Sequence, residues 1–234
     1  SVLSGIPMFI EPFFLTPSSL NTVSSIGGEL GKKGYYTAFF HGADNGSMGF
    51  EAFARTAGYT HYFGRTEYNE ANPDNKDFDG HWGIWDEKFF QFFGNTLSGF
   101  QQPFAAALFS LSSHHPFAVP AEYEGVFPKG NKPIRQCIGY TDNALKLFFE
   151  KVSKEPWYKN TLFVFTADHT NSPERPEYET ESGLFSVPVV FYQPGSDLKG
   201  FRKDVIAQQI DIMPTVLGYL GYDKPFVSFG CDLL

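Results

Sequence analysis

Four short apolar runs punctuate the chain: residues 35–40 (YYTAFF), 104–111 (FAAALFSL), 162–167 (LFVFTA) and 187–192 (VPVVFY). Each is too short for a buried helix and rich in aromatic or β-branched side chains, which is how a strand covered on both faces reads. Pro188 places the fourth at an edge or a strand start. Between the runs, apolar positions recur at helical spacing. One helix is expected from Ser18 or Ser19, after Thr16-Pro17, to about Lys33, with Gly34 as its stop. Others are expected over 48–56, from the Gly83-Ile84-Trp85-Asp86 segment with Asp86 as cap or first-turn residue, over 133–154, and over 205–220 as an amphipathic helix crossed by Pro214. Two irregular excursions, 59–83 and 171–183, complete the pattern. Helices alternating with fully apolar strands predict a layered α/β domain with a mostly parallel sheet, spanning residues 1–234 as one domain.

Composition narrows this only slightly. The 234 residues are 42% hydrophobic and 19% charged, an ordinary globular balance; 27 Phe and 12 Tyr suit a large core. A net charge of −8 argues against a nucleic-acid partner, which favours a basic face. No apolar run approaches the ~20 residues that span a bilayer. Ser1-Val2-Leu3 carries neither an initiator Met nor a basic leader, so the chain reads as an excised piece of a longer protein. Cys137 falls in a helical pattern as a small buried hydrophobe, and its distance in sequence from Cys231 argues for no particular pairing.

The strand ends change the picture more. Three strands run into histidine: Phe40 into His41, Leu111 into His114-His115, and Ala167 into Asp168-His169. Parallel strands share a carboxyl edge, where open α/β sheets present ligands. Each piece has a bland alternative. Asp44 could cap the helix over 48–56, His114-His115 before Pro116 could be turn chemistry, and His41-Gly42 a simple strand exit. Together they favour a polar site in which Asp168 and His169 bind a divalent ion, the first as ionised and the second as neutral ligand. Two protein ligands are too few for a catalytic metal site, and no Ser or Thr is clearly presented as a nucleophile.

A set of sequence words carries a specific resemblance. These are Phe40-His41-Gly42, Gly80-His81-Trp82-Gly83-Ile84-Trp85-Asp86, Leu111-Ser112-Ser113-His114-His115-Pro116-Phe117, Tyr140-Thr141-Asp142, Asn160 through His169, Val187-Pro188, and Gln209-Ile210-Asp211-Ile212-Met213-Pro214-Thr215. In this order they resemble the C-terminal part of the lipoteichoic acid synthase-like sulfatase family of the alkaline phosphatase superfamily. The resemblance implies an alkaline phosphatase/sulfatase-like α/β/α fold, N-terminally truncated. It also implies a catalytic domain outside the cytoplasmic membrane, periplasmic or extracellular, with a membrane anchor in the full-length protein and not in this piece.

In that family a metal-bound Thr attacks a phosphoester, or a formylglycine attacks a sulfate ester. One Mn ion is held by a Glu, the Thr and an Asp-His pair, which maps onto Asp168 and His169. Mn is therefore the expected metal, with Zn or Mg as alternatives. The family's phosphate-contacting histidine maps onto His114, and His41 and Asp44 lie where members contact the head group. The Glu and the nucleophilic Thr or Ser precede Leu3-Ser4-Gly5-Ile6-Pro7 in the family, so no catalytic nucleophile is expected in this chain, and the piece alone is expected to be inactive with weak or absent metal binding. The resemblance is to phosphoglycerol transferases, and Met48-Gly49-Phe50-Glu51 stands where some synthases place Trp and Arg, so it leaves glycerol-phosphate specificity open. The implied activity is that of a phospho- or sulfo-ester hydrolase or transferase working on envelope lipid or glycan head groups. The alternatives are a non-catalytic binding or regulatory module that keeps the fold, and a structural domain of an envelope complex.

Overall fold

A computed structural model describes residues 1–8, 16–17 and 21–234. The chain forms two compact units, one of residues 27–155 and one of residues 1–26 with 156–234. The expected helix start at Ser18 or Ser19 lies outside the described residues. Within the described part that helix is short, α1 (Ile26–Gly31), ending before the expected Lys33, and the chain turns at Gly34, whose φ of 86° only glycine adopts at little cost.

The larger unit is built on a three-stranded parallel sheet in the order β2 (His61–Phe63), β1 (Tyr36–His41), β3 (Phe104–Phe109). Phe40 sits beside Phe63 on one flank and Leu108 on the other. Its ring is fully buried and stacks on Phe63 at 4.6 Å, with Phe93 edge-on at 4.7 Å. Burying one such ring contributes about 1.5–3 kcal/mol. Ala38, Tyr68, Ile84 and Phe89 complete this core. After β1 come α2 (Phe50–Thr56) and, beyond β2, α3 (Arg65–Ala71). The excursion over 59–83 is thus partly regular. Its strand has only three residues and is fixed by pairing with β1 and by stacking of Tyr62 on Phe39 at 5.9 Å. The helices α4 (Asp86–Ser98) and α5 (Ile134–Val152) pack together through Phe93 and Phe148, stacked at 5.6 Å.

The smaller unit carries β4 (Phe163–Thr166) paired antiparallel with β5 (Val189–Tyr192). The short α6 (Glu181–Leu184) overlaps the end of the expected 171–183 excursion, and α7 (Ile212–Tyr219) follows β5. The sequence pattern predicts an amphipathic helix over 205–220. The structure differs: residues 212–217 are all buried, so the helix is covered all round. Pro214 sits in its first turn, where an amide has no helical acceptor to lose. Asp211 is buried at the start of α7. Its Oδ2 accepts Gln208 N at 2.7 Å and its Oδ1 accepts Cys231 N at 2.9 Å, tying the chain's last segment to the helix. Both cysteines are free thiols. Cys137 is fully buried, as its pattern suggests, and burial pushes its thiol up to about 11. No helix among the described residues is long and apolar enough to cross a membrane.

Candidate active site

In the larger unit, β1 and β3 are parallel neighbours, so their carboxyl ends share one edge. His41 is the last residue of β1. It is buried, its ring packs on Phe50 and Phe109, and Nδ1 donates to the Phe109 carbonyl at 2.9 Å. A carbonyl only accepts, so Nδ1 carries the proton and Nε2 is left for other work. Burial depresses the imidazole's pKa, with the Phe109 bond opposing in part, so the ring is held neutral.

Asp44 caps no helix. The following 3-10 turn is preceded by Gly46, and Asp44 Oδ1 instead pairs with Arg65 Nη1 at 3.0 Å. The Arg65 guanidinium lies 3.8 Å over the Phe78 ring. A planar cation beside the β1 exit was not legible as a site residue, because it follows a strand too short to recognise.

Asp86 is the first residue of α4, yet its carboxylate does not cap that helix. It accepts Leu111 N at 3.0 Å, Ser112 N at 3.1 Å and the Thr141 hydroxyl at 3.3 Å. Asp86 N in turn donates to Ser112 Oγ at 2.9 Å. The carboxylate therefore fastens the exit of β3 to α4 and α5. Its burial raises the pKa to about 6, and the hydrogen bonds from Leu111, Ser112 and Thr141 keep it from rising further.

His114 stands three residues beyond Leu111, exposed, on the turn this carboxylate holds. Its Nδ1 lies 3.1 Å from the His115 carbonyl, and the same carbonyl accepts Trp82 Nε1 at 2.7 Å. The Trp82 and His114 rings meet edge to face at 4.3 Å. Trp82 is itself held by Asp79, whose Oδ1 accepts the amides of His81, Trp82 and Gly83. Gly83 passes so close to Gly42 that a Cβ there would strike the Gly42 carbonyl. The segments around 41–44, 79–86 and 111–116 are thereby knit together. His81, Trp82 and His114 line one small concavity. Phe117 continues the turn at a φ of 60°, its carbonyl accepting Gln136 Nε2 at 2.7 Å.

In the smaller unit, Asp168 and His169 follow β4 after Ala167, and both are exposed. Asp168 Oδ1 accepts His169 N at 2.8 Å, and His169 Nδ1 donates to Thr170 O at 2.8 Å. That leaves Asp168 Oδ2 and His169 Nε2 as the two working atoms, 3.4 Å apart. Donors on two corners of a tetrahedron, each about 2.0–2.2 Å from one ion, stand about 3.4 Å apart, so the pair fits a shared divalent cation. The outer contacts fit too: the occupied Nδ1 fixes the ring for binding through Nε2. Gln209 Nε2 donates to both Ala167 O at 2.7 Å and Asp168 O at 2.8 Å, bracing the strand exit. No group of three or more His, Cys, Asp or Glu side chains suited to a metal occurs among the described residues, and this pair offers two side chains.

Comparison with known proteins gives this arrangement a context. A family model described as Sulfatase matches residues 2–222. The chain belongs to the sulfatase family. It is 27% identical over 237 residues to lipoteichoic acid synthase 2 of Bacillus subtilis, covering 92% of this chain and 35% of that protein. Among solved structures, an alkaline phosphatase superfamily protein from Vibrio parahaemolyticus superposes with a TM-score of 0.84 at 25% identity, covering 99% of this chain and 56% of that one. The lipoteichoic acid synthase LtaP of Listeria monocytogenes superposes with a TM-score of 0.81 at 22% identity, covering 99% and 61%. The α/β fold with its parallel sheet is thus that of the alkaline phosphatase superfamily. The chain spans about a third of the length of the curated relatives it matches.

Proposed function

We propose that this sulfatase-family chain is the C-terminal part of a metal-dependent phospho- or sulfo-ester hydrolase or transferase, phosphoglycerol transferase-like, acting on envelope lipid or glycan head groups outside the cytoplasmic membrane. The supporting observation is the Asp168–His169 pair, with its two free donor atoms 3.4 Å apart and every other polar atom of the two side chains engaged. Asp168 and His169 would hold a divalent ion, Mn by analogy with the family. Such an ion lowers the pKa of a hydroxyl nucleophile and offsets charge on the transferring group. The nucleophilic Thr or Ser and a further acidic ligand belong, on this reading, to sequence preceding Ser1. His114 presents Nε2 and, when protonated, donates from it to a non-bridging oxygen of the ester, stabilising charge that grows in the transition state. His41 and the Asp44–Arg65 pair flank the head group at the β1 exit.

The test is turnover of a panel of phosphate and sulfate esters by the full-length protein, with and without chelator. The reading predicts activity that chelation removes, added Mn restores, and Asp168→Ala abolishes. Activity that survives Asp168→Ala refutes the assignment. An inert full-length protein that still binds the esters favours the non-catalytic binding module instead.

A further inference from the structure

The His114 turn carries a feature that the metal pair and the ester contact leave unused. The His115 carbonyl receives two donors at once, His114 Nδ1 and Trp82 Nε1. The indole also presses its ring against the His114 imidazole at 4.3 Å and lies 5.8 Å from that of His115. Trp82 is not free to drift. The amides of residues 81–83 converge on Asp79 Oδ1, at 2.8, 2.7 and 3.0 Å, and Gly83 is wedged against the β1 exit.

We propose that Trp82 is a positioning residue for His114, orienting the His115 carbonyl and walling the imidazole so that Nδ1–H stays on that carbonyl and the second proton is taken up at Nε2, the nitrogen that then donates to the ester. The identification of His114 as the ester contact rests on the function proposed above; the fixing of its tautomer by Trp82 does not.

The chemistry behind the step is simple. An exposed imidazole populates both neutral tautomers and several ring rotations, and the bond made by one nitrogen decides the role of the other. A peptide carbonyl with two lone pairs can accept two donors, so Trp82 and His114 reinforce each other's placement instead of competing. The other ionisable groups around the turn are Asp79, His81, His115 and the buried Asp86. Asp79 Oδ1 is taken up by the three amides, and Asp86 is engaged by Leu111, Ser112 and Thr141, so neither is the partner of the His114 ring.

The test uses the full-length protein in two arms. In the first, NMR of isotope-labelled histidine reads the His114 tautomer at a pH where the ring is neutral. The wild type must show Nδ1–H. Trp82→Phe, which keeps a ring and removes the donor, must bring in the Nε2–H form, and Trp82→Ala must do so further. In the second, turnover of bis(p-nitrophenyl) phosphate is compared. Trp82→Phe should lower kcat about tenfold with KM changed less than about threefold, the mark of a misaimed contact that strengthens in the transition state. A wild-type His114 in the Nε2–H form overturns the proposal without any variant. So does an unchanged tautomer in both variants, or a changed tautomer with unchanged kcat. A wild type that turns over no ester defeats the proposed function and leaves the NMR arm to decide the role of Trp82.

Discussion

Asp86→Asn separates the two things that the buried carboxylate does. The side chain is 1% exposed and accepts two backbone amides, those of Leu111 and Ser112, on different oxygens. Asparagine keeps the shape and one acceptor and turns the other position into a donor facing an amide. That mismatch costs about 1–3 kcal/mol. The substitution also removes a charge from a dry site. Burial lifts the aspartate from its ordinary 3.8 to about 6. At 1.36 kcal/mol per pKa unit this corresponds to about 3 kcal/mol.

For a carboxyl raised in the folded state, the native protein holds the proton that the unfolded chain has already released. Its stabilising contribution is complete below the unfolded value and is lost as pH rises through about 6. Of that loss, about 2 kcal/mol falls between about pH 4.5 and about pH 7.5. Asparagine has no such loss. The variant is therefore expected to be clearly weaker than wild type at the acid end, and to close the gap by about 2 kcal/mol at the neutral end. Urea denaturation of both proteins across this range, followed by tryptophan fluorescence, reads the difference directly. Groups common to both cancel in the comparison. Two stability curves that run parallel would refute the reasoning, because the buried carboxyl would then contribute no proton linkage.

Gly83→Ala places a methyl against the Gly42 carbonyl and should lower stability by about 1–3 kcal/mol, seen as a drop in the thermal midpoint. An unchanged midpoint would mean that the junction between the β1 exit and the Trp82 segment yields freely. Gln209→Ala frees two carbonyls at the β4 exit. It should cost about 1 kcal/mol globally and, more tellingly, speed hydrogen exchange at His169 and Thr170 while sparing β1 and β3. Equal rates in the two proteins would show that the strand exit needs no brace.

What the sequence reveals of the fold follows from which elements carry their own signal. β1 and β3 begin and end within two residues of the apolar runs that announce them, because a strand covered on both faces needs an unbroken apolar stretch. β2 has three residues, His61, Tyr62 and Phe63, and nothing local distinguishes it from a loop; its partners are distant in sequence. The helix over 212–219 is shorter than its pattern, since residues 205–208 never join it and the buried part has no polar face to show periodicity.

At the site, the histidines at strand exits are visible as composition, but their common design is not. His41, His114 and His169 each engage Nδ1 with a backbone carbonyl, contributed by a neighbouring strand in one case and by the following residue in the other two. Asp86 reads as a helix-start residue because acidic residues favour that position. Its real partners are 25 and 26 residues downstream, where no local rule reaches. The Gly80 to Asp86 word marks Trp82 as part of a motif, and only the fold shows its donor reaching the His115 carbonyl.

The proposed metal site joins Asp168 and His169 to one divalent ion through Oδ2 and Nε2. Anomalous scattering from crystals of the full-length protein grown with Mn tests it most directly. The account predicts a peak about 2.0–2.3 Å from both atoms, lost in Asp168→Ala while the Gln209 contacts to the strand exit persist. An ion bound elsewhere in the fold, or a peak that survives removal of the Asp168 carboxylate, would contradict it.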